Sequence, residues 1–346
     1  MLIIAIIIIG IYFLHPVLVP LLLALLLSIL LSPVVVVLNY KLKFPHIIAV
    51  FITLILAILI GSGIIFIISQ QISSFLKDIP NMQKHLNMHY YHMQDWIYSK
   101  FNIEYSKQNN YIEKVREEIQ DGDGMIAKPL DHFSTILIDT VLIPVYTFFI
   151  ILYRNLFINF LTKIIHTKHH PILKEIIIEI KAVIHSYIVG LLLEMAIVTT
   201  LVSTGLMIIG VDYAIFIGVT AGILNLVPYL GILTTTLLSL SVAIGNSSDA
   251  GILVSIVILF LITHLIDANI LIPKVVSSKV KINALAAILG IVFGGFLIGI
   301  PGMFLALPVI AITKVVLDRV PGLEPWGYLL GDIIPKEFDW CKLKSN

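Results

Sequence analysis

Glu194 is the only charged side chain in an apolar run that covers residues 186–209. An ionised carboxylate is costly in apolar surroundings unless a proton, a cation or a hydrogen-bonding partner compensates it. A carboxyl group at this position could therefore carry a proton or bind a cation. The alternative is a structural role, in which Glu194 is hydrogen-bonded or protonated at a contact between subunits.

His264 and Asp267 form a second group of residues that could do chemistry. Their spacing of three places both side chains on one face of a helix, one turn before Asn269 and Pro273. Because histidine titrates near neutral pH, the pair could pass a proton along the helix. The alternative is a histidine at a membrane surface beside an aspartate at a helix end.

Asn225 and Tyr229 flank Pro228 inside another apolar run, and Gly231 follows. Proline lacks a backbone donor and interrupts the helical hydrogen bonds, so neighbouring peptide groups lose their partners. The amide of Asn225 and the hydroxyl of Tyr229 could bind a polar solute, or they could satisfy the freed backbone groups. The sequence leaves both roles open.

Other kinds of chemistry find no support in the residues. His166, His169 and His170 crowd together without a second ligand group, so they are interpreted as surface residues and not as a metal site. No Walker-type phosphate loop occurs, which argues against an ATP-driven pump, and we expect no cofactor. The polar residues of the apolar runs do not supply a nucleophile, a base and an orienting group, so we expect no enzyme. Cys341 is the only cysteine, which excludes an intrachain disulfide.

The overall composition identifies the solvent around these residues. The chain has 346 residues, of which 59% are hydrophobic and 12% charged, with a mean hydropathy of +1.04. Soluble domains carry roughly 25% charged residues, and they need them to cover their cores. A lipid bilayer therefore surrounds most of this chain. The net charge of +1 argues against nucleic acid as a partner.

A helix needs about 20 apolar residues to cross a bilayer, and the chain contains apolar runs of this size, one shorter run and two longer ones. They cover residues 2–14, 17–38, 47–69, 134–153, 186–209, 213–245, 251–272 and 282–313. The first run lacks a basic start and a cleavage site, so we expect a short retained helix, hinged to the second run at His15 and Pro16. The fold class is therefore predicted to be all-α, as a polytopic membrane protein.

Four regions follow from this pattern. They are N-terminal transmembrane helices in 1–69, a polar and amphipathic extracytoplasmic segment in 70–133, a transmembrane core in 134–314 and a cytoplasmic tail in 315–346. Within the polar segment, Ile112, Val115 and Ile119 predict an amphipathic helix. Within the core, an apolar residue at every third or fourth position predicts an interfacial helix in 155–185.

The basic residues decide how the two longest runs fold, because cytoplasmic loops collect lysine and arginine. With Lys41 and Lys43 inside, Lys281 also lies inside only if residues 213–245 form a hairpin that turns near Pro228. A second hairpin in 282–313, turning near Pro301, places the following basic residues inside as well. About eight membrane segments result, including these two hairpins broken by glycine and proline.

Small residues at four-residue spacing accompany both breaks, and they let helices pack closely. The pairs are Gly218 with Gly222, Gly290 with Gly294, and Gly295 with Gly299. Aligning Pro228 with Pro301 superimposes Gly222 on Gly295, while the predicted topology orients the hairpins oppositely. Oppositely oriented broken helices build the central site of many membrane proteins that move solutes. Chance in a sequence rich in glycine and alanine explains the superposition equally well.

Several motifs together resemble the autoinducer-2 exporter (AI-2E) family of bacterial permease-like proteins. They are Tyr187-Ile188-Val189-Gly190, the stretch from Gly205 to Gly231 ending in Asn-Leu-Val-Pro-Tyr-Leu-Gly, Asn269 to Pro273, and Gly294-Gly295 through Pro301-Gly302-Met303 to Pro308. The resemblance implies about eight spans, an inner-membrane location and transport of small solutes. Autoinducer-2 export and cation/proton antiport have both been ascribed to members, and the resemblance also implies homo-oligomers, pentamers among them.

Three positions depart from the family pattern. Leu191 stands where members often carry glutamine, Ser277-Ser278-Lys279 replaces a Gly-Lys-Ser-like step, and Tyr153 replaces a common acidic residue. These departures leave the substrate open.

The residues and the resemblance together predict a secondary transporter that exports or exchanges a small polar solute, with H⁺ or Na⁺ as a candidate coupling ion. Its predicted path runs along the two broken hairpins and the polar residues beside them: Glu194, Asn225, Pro228, Tyr229, Gly231, His264, Asp267, Asn269, Pro273, Gly294, Gly295, Pro301 and Gly302. A cation/proton antiporter and a non-transporting membrane scaffold are the alternatives.

Overall fold

The computed structural model describes residues 2–102, 104–105, 129–227, 230–246, 250–276 and 281–332, some of them by their backbone alone. Every regular element in these ranges is helical. The helices are α1 (Leu2–Val36), α2 (His46–Phe101), α3 (Pro129–Leu152), α4 (Arg154–Ile164), α5 (His170–Ile209), α6 (Ala214–Leu224), α7 (Leu230–Asn246), α8 (Ala250–Ile266), α9 (Ala284–Ile298), α10 (Ile300–Arg319) and α11 (Glu324–Leu330). The all-α prediction is confirmed.

Short wider or tighter turns complete these helices. Val37–Lys41 continues α1 as a π-helix, Thr167–His169 forms a 3₁₀ turn before α5, and Asp267–Val276 continues α8 as a π-helix. Two compact units divide the chain. One contains Met1–Thr53, Val145–Leu193 and Ile270–Asn346, and the other contains Leu54–Pro144 and Glu194–Asn269.

Five helical stretches in the described residues are long and apolar enough to cross a membrane. They are Leu14–Lys41, His46–Asp78, Thr167–Ile209, Gly251–Leu271 and Ile300–Arg319, and the bent pair Thr140–Leu152 with Arg154–Ile164 would make a sixth. Large apolar side chains on them face outward, and Ile208 is 87% exposed. The chain is therefore a multi-pass membrane protein, whereas the count of eight segments stays a prediction.

Helix α1 differs from the expected pair of helices hinged at His15 and Pro16. It is continuous over its 35 residues and contains Pro16, Pro20 and Pro33. A proline removes one helical hydrogen bond, but an open break in lipid would leave several peptide groups unpaired. Continuity costs less here, so the proposed hinge was wrong.

Helix α2 is also longer than its apolar part. It has 56 residues, and its membrane-spanning stretch ends at Asp78. The start of the predicted polar segment is therefore a direct helical continuation of a span. The predicted amphipathic helix around Ile112 to Ile119 lies outside the described residues.

The first predicted break is present between α6 and α7. Helix α6 ends at Leu224 and α7 begins at Leu230, while Pro228 and Tyr229 themselves lie outside the described residues. Gly231 lies against the backbone of α6, where an added Cβ would stand 2.5 Å from the Asn225 nitrogen and 2.8 Å from the Ala221 oxygen. Only glycine lets the start of α7 approach the end of α6 this closely.

The second predicted hairpin is present in α9 and α10. Gly290 lies against Ala306 and Ile310, and Gly294 lies directly against the backbone of Gly302, so the two helices run side by side. The chain reverses at Gly299, which has a φ of 72° that glycine adopts without strain. Pro301 follows in the first turn of α10, where its missing N–H has no helical partner to lose.

The region predicted as an interfacial helix forms α4 and the first half of α5. Ile176, Ile180 and Val183 of α5 pack against Ala311 and Val315 of α10. This apolar stripe of α5 therefore covers a neighbouring helix. Whether the region lies in the membrane interface stays a prediction.

Candidate functional site

Glu194, Asn225 and Asp267 meet in one buried cluster, which we call the acidic cluster. The Nδ2 group of Asn225 donates to Oε1 of Glu194 at 2.8 Å and to Oδ2 of Asp267 at 3.2 Å. The three residues are only 4%, 3% and 4% exposed, respectively. A single amide thus bridges two buried carboxyl groups.

The broken helix α6 delivers Asn225 to this place. Gly218 and Gly222 face α5, and an added Cβ on Gly222 would stand 2.6 Å from the carbonyl oxygen of Met195. The two backbones are therefore in direct contact at Met195, the residue that follows Glu194. Asn225 follows at the end of α6, where the helix stops and its amide can reach both carboxyl groups.

Asp267 reaches the acidic cluster from the other side, at a change of helix type. Helix α8 ends at Ile266, and Asp267 is the first residue of the π-helical continuation. A π-helical turn is wider than an α-helical one and is frequent at functional sites. The bridged arrangement therefore sits between two local departures from regular helix.

The acidic cluster keeps acceptor atoms free. Oδ1 of Asn225 and Oδ1 of Asp267 are buried and have no hydrogen-bond partner among the described residues. Two ionised carboxylates buried side by side repel each other strongly, so a shared proton or a bound cation lowers their energy. The open amide oxygen of Asn225 and the open carboxylate oxygen of Asp267 are acceptors that such a proton or cation can use.

His264 lies beside the acidic cluster. The imidazole is half-buried and within electrostatic range of Asp267. It lines a cavity of about 290 Å³ between α7 and α8, together with Thr236, Phe260 and four aliphatic residues. The proposed relay between His264 and Asp267 remains a hypothesis that this proximity allows.

The remaining predicted site residues take other places. Asn269 is exposed, and its Nδ2 group donates to the Leu265 carbonyl of its own helix at 2.9 Å, so it does not join the cluster. Pro273 lies in the π-helical stretch, and its side chain is outside the described part. Gly231 packs α7 on α6, as described above. Gly294, Gly295, Pro301 and Gly302 belong to the other compact unit, where the glycines serve helix packing.

The family model of the AI-2E family transporters matches residues 1–322, nearly the whole chain. The chain belongs to the AI-2E transporter family. This membership confirms the resemblance found in the motifs.

Individual relatives of this AI-2E transporter agree with the family. A Haemophilus influenzae protein provisionally named a transport protein is 23% identical over 309 residues, 87% of this chain and 86% of its own length. YrrI of Bacillus subtilis, also a provisional transport protein, is 31% identical over 131 residues, 38% of this chain and 36% of YrrI. The AI-2 transport protein TqsA of Escherichia coli is 28% identical over 140 residues, 40% of each chain. The matches with YrrI and TqsA thus span well under half of those relatives.

Two of the three departures from the family pattern are visible in the AI-2E structure. Leu191 is buried on α5, and Tyr153 marks the bend between α3 and α4, where its ring stacks on Phe149 at 5.9 Å. Neither residue contributes a charge at its place. The third departure, Ser277 to Lys279, lies outside the described residues.

Sequence reasoning missed two polar links. Tyr213, in the turn before α6, donates its hydroxyl to Asp78 of α2, and Arg319 at the end of α10 binds Glu175 and Glu179 of α5. Tyr213 and Asp78 are 135 residues apart in the sequence, and Arg319 and Glu175 are 144 residues apart. No periodicity connects positions so distant, so only the packing of the helices reveals them.

Proposed function

We propose that this AI-2E transporter is a secondary transporter that exports or exchanges a small polar solute across the cytoplasmic membrane, and that the acidic cluster couples this movement to a cation, a proton in the first instance. The observation that carries the proposal is the bridge from Asn225 to Glu194 and Asp267 in buried surroundings. A structural hydrogen bond alone would not require two carboxyl groups at one amide. The name of TqsA suggests autoinducer-2 as the first solute to try.

The coupling follows from the chemistry of the pair. With one proton shared, the two carboxyl groups carry a single negative charge, which the N–H groups of Asn225 stabilise by hydrogen bonds. Release of that proton leaves two negative charges in a site closed to water, which costs several kcal/mol, about 3 or more. The protein lowers this energy by opening the site to water or by taking up another cation. Either response links protonation to a change of conformation.

The test is a flux assay on the full-length chain in proteoliposomes. An imposed pH gradient should drive uptake of labelled autoinducer-2, and Glu194→Gln and Asp267→Asn should each reduce this uptake by more than about ten-fold, since each removes the exchangeable charge. The exposed Asp332 provides a control, and Asp332→Asn should leave flux unchanged. Equal flux in Glu194→Gln, Asp267→Asn and the native protein would refute the coupling.

Cation/proton antiport is the second candidate, and the unpartnered Oδ1 atoms of Asn225 and Asp267 favour it. A monovalent cation prefers oxygen ligands such as these carboxylate and carbonyl atoms. In the same proteoliposomes without added solute, antiport predicts that a Na⁺ gradient alone moves protons, and that Glu194→Gln abolishes the effect. A solute-dependent signal would instead favour the exporter.

A further inference from the structure

Helix α4 presents a continuous apolar face that no described residue covers. Leu156, Phe157, Phe160 and Ile164 are 60%, 50%, 57% and 65% exposed, and no residue of α4 is buried. Their spacing places all four on one side of the helix, with Asn155, Asn159 and Lys163 among the residues of the polar side. An exposed apolar face of this kind needs a partner that removes it from water.

The bend at Tyr153 gives α4 its direction. The pair Thr140–Leu152 and Arg154–Ile164 is apolar enough to cross a membrane, but the second helix turns away from the first by 61°. An amphipathic helix that leaves the end of a spanning helix at a steep angle comes to lie along the bilayer surface, with its apolar face among the acyl chains. Continuity with α3 therefore identifies the bilayer as the partner of this face.

The corner that follows α4 is held firmly. Nε2 of His170, the first residue of α5, lies 2.9 Å from the Thr162 carbonyl and 3.0 Å from the Ile165 carbonyl. These carbonyls stand at the end of α4, where helical partners are missing, so the imidazole closes the helix. Helices α4 and α5 are thus joined at a defined corner.

Basic side chains lie along both arms of this corner, in α4, in the connecting turn and in the first three turns of α5. They are exposed, and none forms an ion pair with a described acidic residue: Arg154, Lys163, Lys168, Lys174 and Lys181. The nearby Glu175 and Glu179 are occupied by Arg319. The positive charge of the corner is therefore available to an external anion.

Among these basic residues, Arg154 and Lys181 interact electrostatically. Arg154 is the first residue of α4, Lys181 lies about three turns into α5, and the positive charge of Arg154 acts on the Lys181 ammonium. Two neighbouring cations without a counterion form a place where an anion is stabilised. The planar guanidinium of an arginine and the point charge of a lysine both suit a phosphate group.

We propose that Arg154 and Lys181 bind the phosphate of an anionic phospholipid headgroup, while the apolar face of α4 inserts into the same leaflet. The occupant is the surface of the bilayer in which the protein is embedded, with phosphatidylglycerol as the chemical type. This lipid site is independent of the acidic cluster and of the transported solute.

The experiment uses the full-length protein with Phe160→Trp, reconstituted into phosphatidylcholine vesicles that contain an equal fraction of either brominated phosphatidylglycerol or brominated phosphatidylcholine. The signal is the quenching of the fluorescence of the new tryptophan. Because the native protein already has three tryptophans, the quenching of the protein without the substitution is subtracted. We expect quenching by both lipids, and stronger quenching by the anionic one. A basic residue near an anionic surface strengthens association about five-fold, so the preference should be several-fold.

Charge variants then locate the headgroup site. In the Phe160→Trp background, Arg154→Gln with Lys181→Gln should bring the preference for the anionic lipid close to one, while Arg154→Lys with Lys181→Arg should retain it and show that the fold tolerates changes there. As a control, Lys100→Gln removes one positive charge from the exposed end of α2 and should leave the preference for the anionic lipid unchanged. Equal quenching by both lipids in the unsubstituted corner would overturn the phosphate site. Absence of quenching by either lipid would place α4 outside the bilayer, as a cover for another protein surface or a second copy, and would overturn the whole proposal.

Discussion

At the residue scale, Asn225 has the central position in the acidic cluster. Its single Nδ2 group donates both hydrogen bonds, and its own Oδ1 remains open. A side-chain amide has two N–H donors, so both can be used on two acceptors at once. No other arrangement among the described polar side chains joins two buried carboxyl groups.

Tyr213 makes the second residue-scale link, between the turn before α6 and helix α2. Its hydroxyl donates to Asp78, and its ring contacts Phe75 with centroids 5.6 Å apart at 83°. The hydrogen bond to the Asp78 carboxylate raises the pKa of Tyr213 to about 12. The link joins the α5–α6 turn to the membrane-spanning part of α2.

This raised pKa predicts a pH dependence. A free tyrosine ionises near pH 10, so the bond contributes its full stability below about pH 10 and loses it as the pH rises through about 12. Tyr213→Phe should therefore lower the free energy of unfolding of the detergent-solubilised protein by about 1 kcal/mol at neutral pH. This difference from the native protein should vanish towards pH 12. Tyr40→Phe, at a side chain that is 76% exposed, is the matched control. A difference that stays constant up to that pH would show that the hydroxyl is not the source.

At the scale of helices, glycine decides how the broken elements pack. Gly218 and Gly222 bring α6 onto α5, Gly231 brings α7 onto α6, and Gly294 with Gly302 closes the second hairpin. In a bilayer, apolar side chains gain little by leaving lipid for protein, so close backbone approach supplies much of the attraction between helices. The glycines therefore control which helices meet.

The second hairpin allows a direct test of this role. Gly294→Ala would place a Cβ against the carbonyl of Gly302, where neither backbone can yield without separating the helices. We expect a loss of about 1–3 kcal/mol, measured as a lower unfolding midpoint. Gly61→Ala is the matched control, since an added Cβ on Gly61 of α2 meets nothing within 4 Å. Replacing glycine by alanine inside a helix raises the free energy of unfolding by up to about 1 kcal/mol when nothing clashes. An equal stabilisation of Gly61→Ala and Gly294→Ala would therefore contradict close packing at Gly294.

At the scale of the whole molecule, the basic residues predict the topology. The prediction places the continuation of α2 outside and the loop before α9 inside. The first broken hairpin is predicted to enter and leave on the outside, and the second on the inside. The 56 residues of α2 cover about 84 Å, far more than the roughly 30 Å hydrocarbon layer. The residues beyond Asp78 therefore extend well out of the membrane.

Cysteine labelling tests this topology in intact cells. With Cys341→Ser as background, Lys100→Cys should react with a membrane-impermeant maleimide from outside, whereas Lys281→Cys should react only after the membrane is opened. Lys100 and Lys281 are both exposed, so burial would not prevent labelling. A failure to react would therefore report on which side of the membrane the residue lies. Labelling of both from outside would make 213–245 an uninterrupted crossing and remove the first hairpin.

The sequence alone determined the membrane environment, the helical class, both breaks and the family. These properties are local or compositional, because apolar runs of about 20 residues and glycine or proline within them act on their immediate neighbours. The same local reasoning failed at His15 and Pro16, where the penalty for unpaired backbone in lipid keeps α1 continuous.

Only the tertiary structure decided that Glu194, Asn225 and Asp267 form one site, while Asn269 bonds to its own helix. Asn225 is 31 and 42 residues from its two partners, on separate helices. Their meeting depends on how glycine faces let those helices approach, which is a property of packing in three dimensions. Hydropathy and spacing along one chain carry no information about that distance.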